Sequence, residues 1–132
     1  MAASIATGKR QSTSCAAVAL SSVSAQQLDD SKMRALAMAY VYGAVTYLSE
    51  YDGILDESGR ELAAGLLARH FVLDAKASRI VGEELSHAPQ RDQRRFFMIE
   101  GASALRRQVA FGDDSPARKL GEMLTAWQAR SD

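Results

Sequence analysis

"DSKMRALAMAYVYGAVTYLSE", residues 30–50, decides how the chain folds. Met33, Leu36, Ala37, Tyr40, Val41, Ala44, Tyr47 and Leu48 recur at the three- and four-residue spacing that aligns side chains along an α-helix, and Tyr51 continues the row. Ala35, Ala39 and Gly43 recur every four residues and offer a small-residue track on which a second helix can come close. A helix that is apolar on more than one side belongs in an interior. At about 1.5 Å per residue the stretch spans roughly 30 Å, the width of a small domain. A central helix with shorter ones wrapped around it is the predicted outcome.

Working outward, Ser58 and Glu61 stand three apart, the spacing at which each side chain satisfies the other's free backbone N–H. They predict the start of a second helix that turns Leu62, Leu66, Leu67 and Phe71 inward. Asp74 is placed to cap a third, through Ala77, Ile80, Val81 and Leu85, which Pro89 terminates because proline cannot continue the hydrogen-bond ladder. A fourth runs from about Gln90 to Phe111 on Phe97, Met98, Ala102, Leu105 and Val109, and breaks at Gly112. Ser115, followed by Pro116 at a first helical position, reads as the cap of a last helix carrying Leu120, Leu124 and Trp127. The expected fold is all-α, a single-domain bundle of about five helices around a long apolar first helix. A length of 132 residues, 47% of them apolar and two of them proline, suits one such domain.

The first 28 residues read differently. "MAASIATGKRQSTSCAAVALSSVSAQQ" is rich in Ala and Ser, has no acid before Asp29 and shows no helical apolar stripe. The expectation is a disordered tail over 1–28, with Cys15 outside a helical domain at 29–132. A secretory signal is the alternative, with Lys9 and Arg10 as its basic part, "CAAVAL" as its core and Val23-Ser24-Ala25 as a cleavage site. That core is shorter and less apolar than such signals carry. Ser12, Thr13 and Ser14 before Cys15 lack the leucine-led pattern of a lipid attachment. A single cysteine excludes an internal disulfide and a cysteine-built zinc site. No run approaches the roughly eighteen apolar residues of a membrane span. Cytoplasm is the expected compartment.

Sixteen basic residues balance sixteen acidic ones, so no overall field draws the chain to nucleic acid or an anionic membrane. Local charge is less even. Glu50, Asp52, Asp56, Glu57 and Glu61 are opposed only by Arg60. An EF-hand does not fit, since ligand positions counted from Asp52 fall on Ile54, Asp56 and Ala63. A looser calcium or magnesium site at Asp52, Asp56 and Glu57 is one reading of the turn. The other is that these acids complement the dipole of the second helix while Gly53 supplies the bend. Otherwise no cofactor is expected.

Tyr40, Tyr47 and Tyr51 share a helical face, packed inside if buried and partner-binding if exposed, whereas Tyr42 points elsewhere. Arg91, Arg95 and Arg106 share one side of the fourth helix, with Arg94 and Arg107 beside it, forming a basic strip suited to an acidic partner. "LLARHFVLDAKASRIVGEEL", residues 66–85, has the length of a helix-turn-helix in which Lys76, Ser78 and Arg79 face DNA. Phe71 stands where that turn usually has glycine, and Glu83 and Glu84 repel phosphate. His70 and His87 have no nucleophile at a recognisable spacing, His70 reads as a core histidine, and Glu100 requires a partner if buried.

Residues 38–85 resemble the TerB-like helical family: a long apolar helix ending in Asp52-Gly53, an aliphatic Leu55 two residues on, acids at Asp56-Glu57, and a Phe71-Val72-Leu73-Asp74 turn into the next helix. The family usually carries a glutamate seven residues after the aspartate, where this chain has Gly59. The resemblance implies an all-helical module of stress-response or envelope-linked systems that binds rather than catalyses. Together these features predict a non-enzymatic protein-interaction module, a small regulatory or adaptor protein of the anti-activator kind, and a homodimer. A helix-turn-helix DNA-binding protein and a divalent-ion-sensing module are the alternatives.

Overall fold

From Leu36 to Val45 every residue except half-buried Met38 is buried, whichever way it points, as an interior helix requires. The structure, a computed structural model, describes residues 14–51, 57–89 and 92–131, with the side chains of 47–51, 57–60 and 131 left out. In chain order the described residues form α1 (residues 14–21), α2 (Ala25–Asp29), α3 (Ser31–Tyr51), α4 (Glu57–Phe71), α5 (Ala75–Ser86), α6 (Gln93–Phe111), a 3₁₀ turn (Ala117–Lys119) and α7 (Leu120–Ser131), with no strand among them. The chain is all-helical as expected, but the five predicted helices are among seven described, and the longest, α3, is the hub although it is third in the chain and not first. It packs along α6 most extensively, then on α4 and α2, and touches α7 and α5.

Two glycines set the α3–α6 contact. Gly43 of α3 lies on the backbone of Met98, so close that a Cβ there would stand 2.5 Å from the Met98 Cα. Reciprocally, Gly101 of α6 lies on the backbone of Tyr40. Gly43, the last residue of the small-residue track of α3, thus receives α6, and buried Phe97, Ala104 and Leu105 complete the shared core.

Side chains seal the helix ends. Asp30 starts α3 by accepting from the backbone N–H of Lys32 at 2.9 Å and Met33 at 3.0 Å. Asp74 starts α5 by accepting from Ala77 N–H at 2.6 Å, as the sequence predicts. α4 ends in a Schellman turn: Leu73 N–H donates to the Ala68 carbonyl at 3.2 Å while Val72 adopts φ 54°. Arg34 of α3 donates to the Phe71 carbonyl and ties that end to the hub. A β-branched residue at positive φ carries about 1 kcal/mol of strain or more, and Val72 does so while 90% exposed. Gly112 closes α6 at φ 66°.

Three expectations are corrected. Residues 14–28 are not a disordered tail: α1 and α2 are helical, and Cys15, Ala16, Ala19 and Val23 are buried in the core. The folded domain therefore reaches well before residue 29. Ser22 docks on α7, its Oγ accepting the Gly121 N–H at 3.0 Å. Ser24 and Gln27 form a reciprocal capping box, and Gln27 Nε2 donates to Gly121 O at 3.1 Å and Thr125 Oγ1 at 3.0 Å. Next, Ser115 caps nothing. Its N–H and hydroxyl donate to Asp113, and the chain enters α7 through the 3₁₀ turn. Finally, α6 begins at Gln93 with Asp92 as its cap, not near Gln90. The second helix begins one residue before the predicted Ser58 cap, so Ser58 lies within α4, and its side chain is outside the description.

Candidate functional site

α6 has two unlike faces. The inner one, on α3, carries Phe97, Gly101, Ala104 and Leu105, all buried. Phe96, Ile99, Ser103, Arg106 and Ala110 follow one another at spacings of three and four, so they form one stripe, and all five are exposed. Phe96 is 55% and Ile99 57% exposed. At the far end Phe111 is 76% exposed, and Arg107 stacks over its ring with 5.8 Å to the centroid. Phe96 stands edge-on to buried Phe97, centroids 5.8 Å apart and planes at 82°, so an exposed ring is held by the core. Single exposed apolar residues are ordinary; several on one helix face are not.

Charge on α6 is arranged around that stripe. Arg94 is bound to Asp92 at 2.8 Å, which, with the backbone N–H of Arg94, holds the Asp92 carboxyl below its usual range. Arg107 reaches Asp113 at 3.4 Å. Arg95 is half-buried and turns its Nη1 to the Ala88 carbonyl at 3.4 Å. Glu100, half-buried, and Arg106, exposed, have no ion pair among the described residues. Glu100 is not fully buried, so the partner that a buried carboxylate would require is not called for.

The predicted partner-binding residues separate. Tyr40 is 1% exposed, so it is core and not a contact for a partner. Tyr42 is also buried. Of the basic strip, Arg106 is displayed and Arg95 is turned back to the loop, whereas Arg91 lies outside the described residues, as do the side chains of Tyr47 and Tyr51. Of the ion-binding candidates, Asp52 and Asp56 fall outside the described residues, as does the side chain of Glu57, the first residue of α4. Among described residues no cluster of three metal-binding side chains occurs, and no described helix is long and apolar enough to cross a membrane. Ser78 is fully buried with its hydroxyl donated to the Asp74 carbonyl at 2.9 Å, so it cannot face DNA; Lys76 and Arg79 remain exposed beside Glu83 and Glu84. Arg79 instead lines, with Tyr42, Glu61, Gly82 and Glu83, a cleft of about 360 Å³ between α3, α4 and α5.

Burial shifts three titratable groups, His70, Cys15 and Tyr40. His70 is half-buried, its Nε2 has no hydrogen-bond partner among the described residues, and burial followed by the Arg69 charge holds it below the ordinary imidazole range. It is thus not the satisfied core histidine expected. Burial pushes the Cys15 thiol up from 9.0 to about 12. The Tyr40 phenol, buried without a hydrogen-bond partner among the described residues, is raised by burial first and then by Cys15 and Glu100. Both groups keep their protons in the native protein at pH values where the unfolded chain has lost them. Stability should therefore fall as pH rises above about 9, by about 1.4 kcal/mol per pH unit for Cys15. Urea melts between pH 8 and 11 measure this, and Cys15→Ala should flatten the first part of the decline. An unchanged slope in that variant would mean the thiol is solvated.

Sequence reasoning missed the α6 stripe because it assigned the helix a single apolar face. The adjacent pair Phe96-Phe97 was the available signal, since neighbours point about 100° apart and cannot both face α3. In comparison with known proteins, the chain matches no family model, no curated protein and no solved structure.

Proposed function

We propose that the chain is a non-enzymatic protein-interaction module, a small regulatory protein that works through the outer face of α6 and its charged rim. The observation that carries this reading is the Phe96–Ile99 stripe, exposed on a helix whose opposite face is locked into the core by Gly43 and Gly101. Such a surface is rigid before it binds, so little ordering entropy opposes association. The TerB-like resemblance supports the same kind of role. It rests in part on the Phe71–Asp74 turn, which serves here as a helix stop followed by a helix cap.

Phe96→Glu combined with Ile99→Glu tests it. Both side chains are more than half exposed, so the variant should melt within about 1 kcal/mol of the parent. Its association, followed by sedimentation and by surface binding to the protein's own copies and to purified candidate partners, should be lost. An altered protein that associates as the parent does would contradict the assignment of this face.

A further inference from the structure

We infer that the cleft between α3, α4 and α5 binds a free basic amino acid, a small ligand with two cationic groups and one carboxylate. None of the described residues lining the cleft belongs to α6, so the inference stands apart from the reading of that helix.

At about 360 Å³ the cleft has the size of a small-molecule site, and its described lining joins a buried floor to a charged rim. Tyr42 of α3 and Ser78 of α5, both buried, belong to the floor. Gly82 keeps the tyrosine ring open to the cleft. A Cβ there would stand 3.4 Å from Tyr42 Cε2, so a longer side chain would occupy the space beside the ring. The rim carries Glu61 from α4 and Arg79 and Glu83 from α5, all exposed. None of the three has an ion pair or a side-chain hydrogen bond among the described residues, although Arg79 and Glu83 stand four apart on one helix. Cation before acid is the weaker order for pairing along a helix, which leaves both free for a ligand. Two carboxylates and one guanidinium thus border one cleft, and their complement is two cations and one carboxylate. Lysine, ornithine and arginine have that set, with an aliphatic chain between the ends to lie on the Tyr42 ring. Arg79 takes the α-carboxylate through its forked N–H donors. Glu83, one turn further along α5, and Glu61, on the neighbouring helix, take the two cationic groups, and the aromatic ring adds cation–π attraction. A simple diamine offers nothing to Arg79, and a neutral amino acid leaves one carboxylate unmatched.

Isothermal titration calorimetry of the full chain with L-lysine, L-ornithine and L-arginine tests the inference. At least one should give saturable heat with a Kd of about 1 mM or tighter, the modest affinity that exposed charges allow. Cadaverine, which lacks the carboxylate, and norleucine, which lacks the second cation, should bind about tenfold more weakly or not at all. Arg79→Gln and Glu83→Gln, at exposed positions, should each weaken binding of the amino acid by about tenfold without lowering the melting temperature. Gly82→Met should fill the space beside Tyr42 and abolish binding, while thermal melts show a folded protein. Absence of saturable heat from all three amino acids would overturn the inference. So would cadaverine or norleucine binding as tightly as lysine, or binding that survives unchanged in Arg79→Gln and in folded Gly82→Met.

Discussion

Alanine at Gly43 or at Gly101 is expected to lower the stability of the protein by about 3 kcal/mol or more. Two effects of opposite sign compete. Gly→Ala inside a helix ordinarily gains about 1 kcal/mol, because the unfolded chain has less freedom to lose. Against this, the added methyl would enter the backbone of the facing helix, Met98 for Gly43 and Tyr40 for Gly101. Backbone cannot rotate out of the way as a long side chain can, so α3 and α6 must separate along their whole contact. Urea denaturation reads the balance. Gly65→Ala is the internal comparison, since a Cβ there meets nothing within 4 Å and should raise stability by about 0.5–1 kcal/mol. If all three alanines behave alike, the close crossing of α3 and α6 does not exist.

A chain that begins at Asp29 is the second large effect. The loss is expected to be about 4 kcal/mol or more, enough to consume much of the stability of a domain this size. Such a chain lacks buried Cys15, Ala16, Ala19 and Val23. It also loses the Ser22 and Gln27 hydrogen bonds that hold α7. Uncovered apolar surface on α3 and α7 would promote aggregation. Differential scanning calorimetry should show a lower, broader transition. An unchanged transition would restore the reading of residues 14–28 as a tail.

What the sequence disclosed depended on side-chain size and on chain chemistry with a single outcome. The α3 run is long, contains large apolar residues on several sides and has small residues four apart, and its central position followed from that pattern alone. Asp74 and Gly112 were legible for the same reason, because a capping aspartate and a left-handed glycine have few other uses at a helix end. α1 escaped notice because its inward residues are Cys15, Ala16 and Ala19, whose small side chains leave no stripe although close packing suits them. The Ser24–Gln27 capping box was visible, but a serine-rich neighbourhood hid it among residues that usually mark loops.

The candidate site was less legible than the fold. Arg106 was found by spacing, yet Phe96 and Ile99 were not, since a helix pattern does not say which of two apolar sides meets the core. Only the three-dimensional position of α3 decides that. Tyr40 shows the converse error. A tyrosine row can line a core or a surface with the same period, and here the interior burial of α3 places Tyr40 inside, with its hydroxyl lacking a hydrogen-bond partner among the described residues.

The central claim is that α6 is gripped on one face and bare on the other, with the boundary running between two consecutive phenylalanines. Hydroxyl-radical footprinting of the full chain, diluted until it is monomeric and read residue by residue by mass spectrometry, measures this most directly. Phe96 should be oxidised many times faster than Phe97. Equal rates at the two rings in the dilute protein would contradict the account.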